Sequence, residues 1–326
     1  MKRRELLSLL GGAVAWPLAA RAQKEDRKRL AIVMNLPEHD LEAQRGSQAL
    51  VLKLRELGWL EGRNLDLDFR WAADRVGDLP GIVKEIASLK PDAIVGRSGA
   101  VALALRQGAG AIPIVFVDVV DPIDVGLGQS LARPGGNITG FMNFDPAMGT
   151  KWLEIIKEIA PSLRRVGVLL YPQQSQELIF KAIADAASSF KVQASPLHLR
   201  DAAEIEPILN AFASGGDCGL IVLPNSVTNS NRQAIATLAA RLRIPAIYAY
   251  RAYVEAGGLV SYGIEPTEPF RNAAVYVDRI FKGTKPAELP IQAPTKFELI
   301  VNLRVAKAVG LTIPEAFLLR ADEVIE

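Results

Sequence analysis

A chain of 326 residues, 49% hydrophobic and 23% charged, is long enough for two domains of about 150 residues each, and its dispersed prolines and want of low-complexity tracts exclude disorder. The formal charge of +2 owes its sign to the first 22 residues, where Lys2, Arg3, Arg4 and Arg21 outnumber Glu5; the remainder holds 34 basic and 35 acidic residues and leaves no electrostatic footprint for nucleic acid. With Cys218 the one cysteine and His39 and His198 the two histidines, neither an intramolecular disulfide nor a Cys/His zinc centre can form, and no cofactor or metal is expected.

The chain begins MKRRELLSLLGGAVAWPLAARAQ. Its apolar stretch, Leu6 to Ala20, is interrupted by Gly11, Gly12 and Pro17 and is too short to span a bilayer, which takes roughly 20 residues. A charged start, a short apolar run, and Ala20 and Ala22 before Gln23 are what a cleaved secretory signal requires. The Arg3-Arg4 pair further resembles a twin-arginine export signal. Residues 1–22 are therefore expected to be removed and the mature chain to be periplasmic.

RLAIVMN, from Arg29, is an apolar run of strand length, and Leu50, Leu54 and Leu57 then fall at helical spacing before Gly58. NLDLDFRWA reads as a second strand by its alternation, and a helix carrying Ile82, Val83, Ile86 and Leu89 follows. PDAIVGRSG and IPIVFVDVV supply two more buried strands. The second half repeats the order: RRVGVLLYP, DCGLIVLPNS and RIPAIYAY correspond to RLAIVMN, PDAIVGRSG and IPIVFVDVV. Strands alternating with helices imply parallel sheets, so the expected fold is α/β, with two similar doubly wound lobes.

Three extended stretches join them: NITGFMNF, GGLVSYGIEP and LPIQAPTKFELIVN. After the first, Asp145-Pro146 offers an N-cap and first-turn proline to a helix with Trp152, Ile155, Ile156 and Ile159 on one face. After the second comes a helix carrying Phe270, Ala274, Val277 and Phe281, ended by Gly283. Three crossings describe a hinge, with residues 23–142 and 262–290 in lobe 1 and residues 143–261 and 291–326 in lobe 2.

Ligands of open parallel sheets sit beyond the carboxyl ends of the strands. That rule nominates Asn35 and Leu36, then Arg97, Ser98 and Gly99, then Asp118 and Asp121 on the first lobe. On the second it nominates Tyr171, Gln174, Asn225, Ser226, Tyr248 and Tyr250. Ser98-Gly99 fits a helix N-cap, and free N–H groups there would equally hold a ligand carboxylate. Asp118 and Asp121 fit turn residues before Pro122 and also fit counter-charges for a ligand ammonium. Asn225 fits ordinary loop chemistry, and either tyrosine of the 248/250 pair fits the core.

Enzyme signatures are missing where they would be expected. No Gly-x-Gly-x-x-Gly follows the first strand, and no phosphate-binding Gly-x-x-x-x-Gly-Lys-Ser/Thr occurs. GRSGA is not a nucleophile elbow, and both histidines fall in polar connecting stretches without a serine partner. Cys218, in CGLIVL, reads as a small buried hydrophobe.

The phrases LRELGWLEGRNLDLDFRWA, RPGGNITG, EAGGLVSYG and PTKFELIVNL resemble the ABC-transporter substrate-binding proteins of the tryptophan/tyrosine type, and the similarity runs through essentially the whole mature chain. The resemblance implies a type I periplasmic binding fold, no catalysis, and delivery of a small ligand, by the family's name an amino acid or aromatic compound, to an ABC permease; the carrier is expected to be a monomer. It supports Ser98, Gly99, Asp118, Asp121 and Asn225 as ligand contacts. The segment YPQQSQE departs from the asparagines expected there in relatives. The alternatives are a secreted enzyme on the same frame and a ligand-sensing partner of a membrane receptor.

Overall fold

The computed structural model describes residues 27–73 and 76–326, so the leader expected at residues 1–22 lies outside the described residues. The first sheet is wholly parallel, in the order β2-β1-β3-β4-β5, from β1 (Lys28–Met34), β2 (Leu65–Trp71), β3 (Ala93–Arg97), β4 (Ile114–Val119) and β5 (Ile138–Met142). Its two faces carry separate cores. On one, Leu50 and Leu54 of α1 (Leu41–Glu56) meet Leu30, Ile32 and Val95. On the other, Val83 and Ile86 of α2 (Leu79–Ser88) and Val101 and Leu105 of α3 (Gly99–Gly108) cover Val33, Ile94 and Phe116. Strands buried on both faces read as continuous apolar runs, which is why RLAIVMN and PDAIV were legible.

The second sheet runs β12-β11-β10-β9-β8-β6-β7. Its parallel part comprises β6 (Arg165–Leu170), β7 (Gln193–His198), β8 (Cys218–Val222), β9 (Ala246–Tyr248) and β10 (Val260–Ile264). β11 (Phe297–Asn302) joins antiparallel to β10, and β12 (Glu323–Ile325) pairs parallel to β11. The helices that follow include α4 (Met148–Ile159), α5 (Gln174–Ala187), α6 (Ile205–Ala213), α7 (Ser226–Ser230), α8 (Arg232–Arg241), α9 (Arg251–Glu255) and α10 (Glu268–Phe281).

The expected two-lobed α/β fold is present, with local differences. The helix expected from Asp145-Pro146 begins at Met148, because Asp145 Oδ1 accepts the Ala147 N–H at 2.8 Å and makes a separate turn. His198 ends edge strand β7 rather than lying in a connection, with Nε2 2.9 Å from Glu177 Oε1. Cys218 is a buried free cysteine, its thiol pushed up by burial.

The chain crosses between the sheets three times. It leaves the first after Met142, and Phe144 already belongs to the second lobe's core. It leaves the second after Ile264, not at Tyr262, because Tyr262 and Gly263 still pair with Leu299 and Glu298. Helix α10 then packs on the first sheet, with Phe270, Ala273, Ala274 and Val277 in the same core as Leu50 and Leu54. Gly46 of α1 permits this approach: a Cβ there would stand 2.6 Å from the Phe270 ring. Ile291 and Gln292 stay with the first lobe, Gln292 bonding Gly140 and Met142, before the last crossing leads into β11.

Candidate functional site

The carboxyl ends of β1, β3 and β4 and the start of α1 bring three polar side chains of the first lobe together around one guanidinium. Arg97 closes β3, and its Nε donates to Asp118 Oδ2 at 2.7 Å, its Nη1 to Asn35 Oδ1 at 2.9 Å and its Nη2 to Glu42 Oε1 at 2.5 Å. The Arg97, Glu42 and Asp118 side chains are 4%, 7% and 6% exposed. Charges so enclosed persist only when paired and hydrogen-bonded, and two carboxylates here share one cation. Burial raises the carboxyl groups of both Glu42 and Asp118 above their ordinary range, against the pull of Arg97. The two carboxylates in turn hold the guanidinium protonated.

Local structure presents these groups. Asp40 caps α1, its Oδ1 accepting the N–H groups of Glu42 and Ala43, and so fixes the turn from which Glu42 reaches Arg97. Asp118 has φ +58, and the β4–β5 register shifts between Phe116 and Val119, which lifts this residue out of the ladder. Ser98 has φ +87 and caps α3, its Oγ accepting the Val101 N–H at 3.4 Å; Gly99 is the first residue of that helix. Asp121, at φ +40, accepts the Asp124 N–H at 3.1 Å and serves a turn. Leu36 is fully buried in the core beside α1.

The second lobe faces this cluster directly. Asn35 Nδ2 donates to Ser226 Oγ at 3.1 Å, Gln174 Nε2 to Asp124 Oδ2 at 2.8 Å, and Arg232 Nη1 to Asp40 Oδ2 at 3.2 Å. Arg45 and Glu255 add a more exposed pair at 3.4 Å. Tyr250, 2% exposed, accepts from Asn143 Nδ2 at 3.3 Å, and its hydroxyl is pushed well up by burial and by the nearby charges of Asp118 and Glu42. Tyr248 lies in the core, stacked on Tyr253 with ring centroids 4.8 Å apart. Tyr171 is half-buried and gives its backbone N–H to Gln176 Oε1. Asn225 caps α7 through a reciprocal pair with Thr228, and its amide also reaches Leu223 O and Gln176 Oε1.

Eight of the nominated positions, Asn35, Ser98, Gly99, Asp118, Tyr171, Gln174, Asn225 and Tyr250, thus stand at strand ends or helix starts, Asn35 and Gln174 bonded across the seam between the lobes, with Asp121 in the turn after β4. Sequence reasoning missed Asp40, Glu42, Asn143 and Arg232, and missed that Arg97 organises the cluster. The Asp40-x-Glu42 pattern at the start of α1 was the available signal for two of them. Among the described residues no group of three or more His, Cys, Asp or Glu is placed to hold a metal ion. No described helix is long and apolar enough to cross a membrane.

The fold is shared with known proteins. A family model described as ABC transporter substrate binding protein matches residues 32–325. A tyrosine-binding protein of Clostridioides difficile is 23% identical over 283 residues, which span 86% of this chain and 80% of that protein. Among solved structures, a conserved domain protein from Vibrio cholerae superposes with TM-score 0.85 at 27% identity, covering 91% of this chain and 99% of that one. An ABC domain from Streptococcus pneumonia in complex with L-Trp gives TM-score 0.82 at 22% identity, over 91% of this chain and 100% of that one.

Proposed function

As the chain belongs to the family of ABC transporter substrate-binding proteins, we propose that it is an exported, monomeric carrier that captures a small organic solute between its lobes and hands it to an ABC permease without chemical change. The observation that carries this reading is the meeting of strand-end side chains from both sheets, Asn35 with Ser226 above all. A solute entering that seam is gripped by polar groups of two bodies that the three crossings allow to part.

The solute class is an amino acid or related aromatic compound. The tyrosine-binding relative and the L-Trp complex support this class, and so do Asp118 and the neighbouring Tyr250. The leader supports a periplasmic location by way of a twin-arginine signal. Binding near 1 μM corresponds to about −8 kcal/mol, within reach of several hydrogen bonds in a desolvated cleft.

A thermal-shift screen of amino acids, aromatic acids and amines on the purified protein tests the proposal. A solute at 100 times its Kd should stabilise the fold by roughly 2.7 kcal/mol. The bound solute should be recovered unchanged after prolonged incubation. Silence across all solute classes, or turnover of the bound compound, would sink the reading.

A further inference from the structure

The second sheet reverses its strand order between β6 and β8. The chain leaves β6 through α5 to place β7 on one side, and returns through α6 to place β8 on the other. Connections part at such a point, and the crevice beyond the carboxyl ends of the strands is where an open sheet takes a ligand. Here the backbone ladder ends with the Leu223 N–H on Leu169 O at 2.9 Å. The Leu223 carbonyl then accepts from Thr228 Oγ1 at 2.9 Å rather than from β6, so beyond this rung the Tyr171 N–H and the Pro224 carbonyl need another partner.

Gln176, 2% exposed in the first turn of α5, supplies it with its side chain. Its Oε1 accepts the Tyr171 N–H at 2.7 Å and the Asn225 amide at 3.4 Å, and its Nε2 donates to Pro224 O at 2.8 Å. A side-chain amide offers the donor and the acceptor of a peptide unit, so it continues the ladder where the two backbones no longer meet. The first lobe bridges the corresponding gap, between β1 and β3, with charge: Glu42 of α1 meets Arg97 at 2.5 Å. The neutral bridge of the second lobe ties together the two segments from which that lobe reaches across the seam. Gln174, on one, donates to Asp124, and Ser226, on the other, accepts from Asn35.

Resting on the capture of a solute between the lobes, we propose that Gln176 is a positioning residue for that solute. Its buried amide joins the ends of β6 and β8 into one face, on which Tyr171, Gln174, Asn225 and Ser226 are presented together. Gln176 acts through these residues and not by touching the solute.

Amide hydrogen exchange and calorimetry test this on three proteins: the parent, Gln176→Met, which keeps the side chain's length without its polar ends, and Ile183→Val, a core trimming in the same helix. In the parent, the Tyr171 amide should exchange at least 100-fold more slowly than an unstructured amide. Gln176→Met should speed exchange at Tyr171 and Thr228 at least tenfold while residues 166–169 keep their protection. It should also weaken binding of L-tyrosine or L-tryptophan, whichever the parent takes, at least tenfold. Ile183→Val should lower the melting temperature and change neither reading. Free exchange at Tyr171 in the parent, a result that needs no variant to fold, overturns the proposal. So does an unchanged affinity in Gln176→Met, or an equal loss in Ile183→Val. If the parent binds neither amino acid but another solute stabilises it in the thermal-shift screen, capture stands. The unliganded radius of gyration then replaces affinity, and it should rise in Gln176→Met alone; an equal value in the parent overturns the proposal. If no solute of any class binds, the capture reading falls, and the role of Gln176 falls with it.

Discussion

Arg232 and Asp40 tie the two lobes together at the point where the first lobe's leading helix begins. Arg232 Nη1 lies 3.2 Å from Asp40 Oδ2, with side chains 17% and 9% exposed, while Asp40 Oδ1 caps α1. One carboxylate therefore serves a helix terminus and an inter-lobe latch.

The latch can be separated from the cap. Arg232→Ala should leave the melting temperature nearly unchanged, raise the unliganded radius of gyration in X-ray scattering, and weaken solute binding several-fold, in line with about 1 kcal/mol for a partly shielded pair. Asp40→Ala should show the same opening and lose about 1 kcal/mol more stability through the cap. Equal scattering curves for Arg232→Ala and the parent protein would assign the pair no part in closure.

Arg97 is the one cation of the buried cluster, and Arg97→Leu strands Glu42 and Asp118 without it. The expected cost is about 3–5 kcal/mol in denaturant unfolding. Adding Glu42→Gln and Asp118→Asn to the same protein should recover most of that loss. If the triple variant is no more stable than the single one, packing rather than charge accounts for the damage.

The pH dependence follows from the direction of two shifts. Glu42 and Asp118 hold their protons more tightly folded than unfolded, because burial raises both. Their ionisation therefore opposes folding; the penalty is absent below the ordinary carboxylate range and complete above the raised values. Unliganded Asp118→Asn should accordingly be more stable than the parent at pH 7, with the difference vanishing as pH falls to the ordinary carboxylate range. Paired thermal melts across that interval measure it, and a gap that widens on acidification would reverse the assignment.

Gly46 sets the distance between α1 and α10. Its replacement by alanine drives a methyl group to 2.6 Å from the buried Phe270 ring, an overpacking worth about 1–3 kcal/mol. Phe270→Leu, introduced into the Gly46→Ala protein, should restore part of the stability by vacating that space. Two losses that simply add would show that the contact is not the cause.

How much of this was legible varies with the kind of signal. Strands such as Arg165–Leu170 and Ile114–Val119 are apolar but for Arg165 and Asp118 and declare themselves. Gln193–His198 was missed because an edge strand with half its positions exposed, and with Pro196 within it, reads as a connection. Glu323–Ile325 was missed because three residues are too few for a period. At the site, the strand-end rule reached Asn35, Arg97 and Asp118 one at a time. It had no means to see that Asn35, Glu42, Arg97 and Asp118 form one hydrogen-bonded unit, since that adjacency exists only once three parallel strands are in register. The same separation hid Asn143, whose partner Tyr250 lies far along the chain.

The chain's route between the sheets bears on how such a molecule can be made. The first lobe's core is closed by Phe270 and its neighbours on α10, and the second sheet ends in strands that begin at Phe297 and Glu323. Domains commonly fold one after another as they leave the ribosome. Here the amino-terminal lobe must wait for a helix encoded beyond most of its sister, and that sister must wait for strands encoded beyond that helix. Each lobe is thus completed only by segments encoded after most of the other, so the two become finished bodies in an interlocked order and not one after the other.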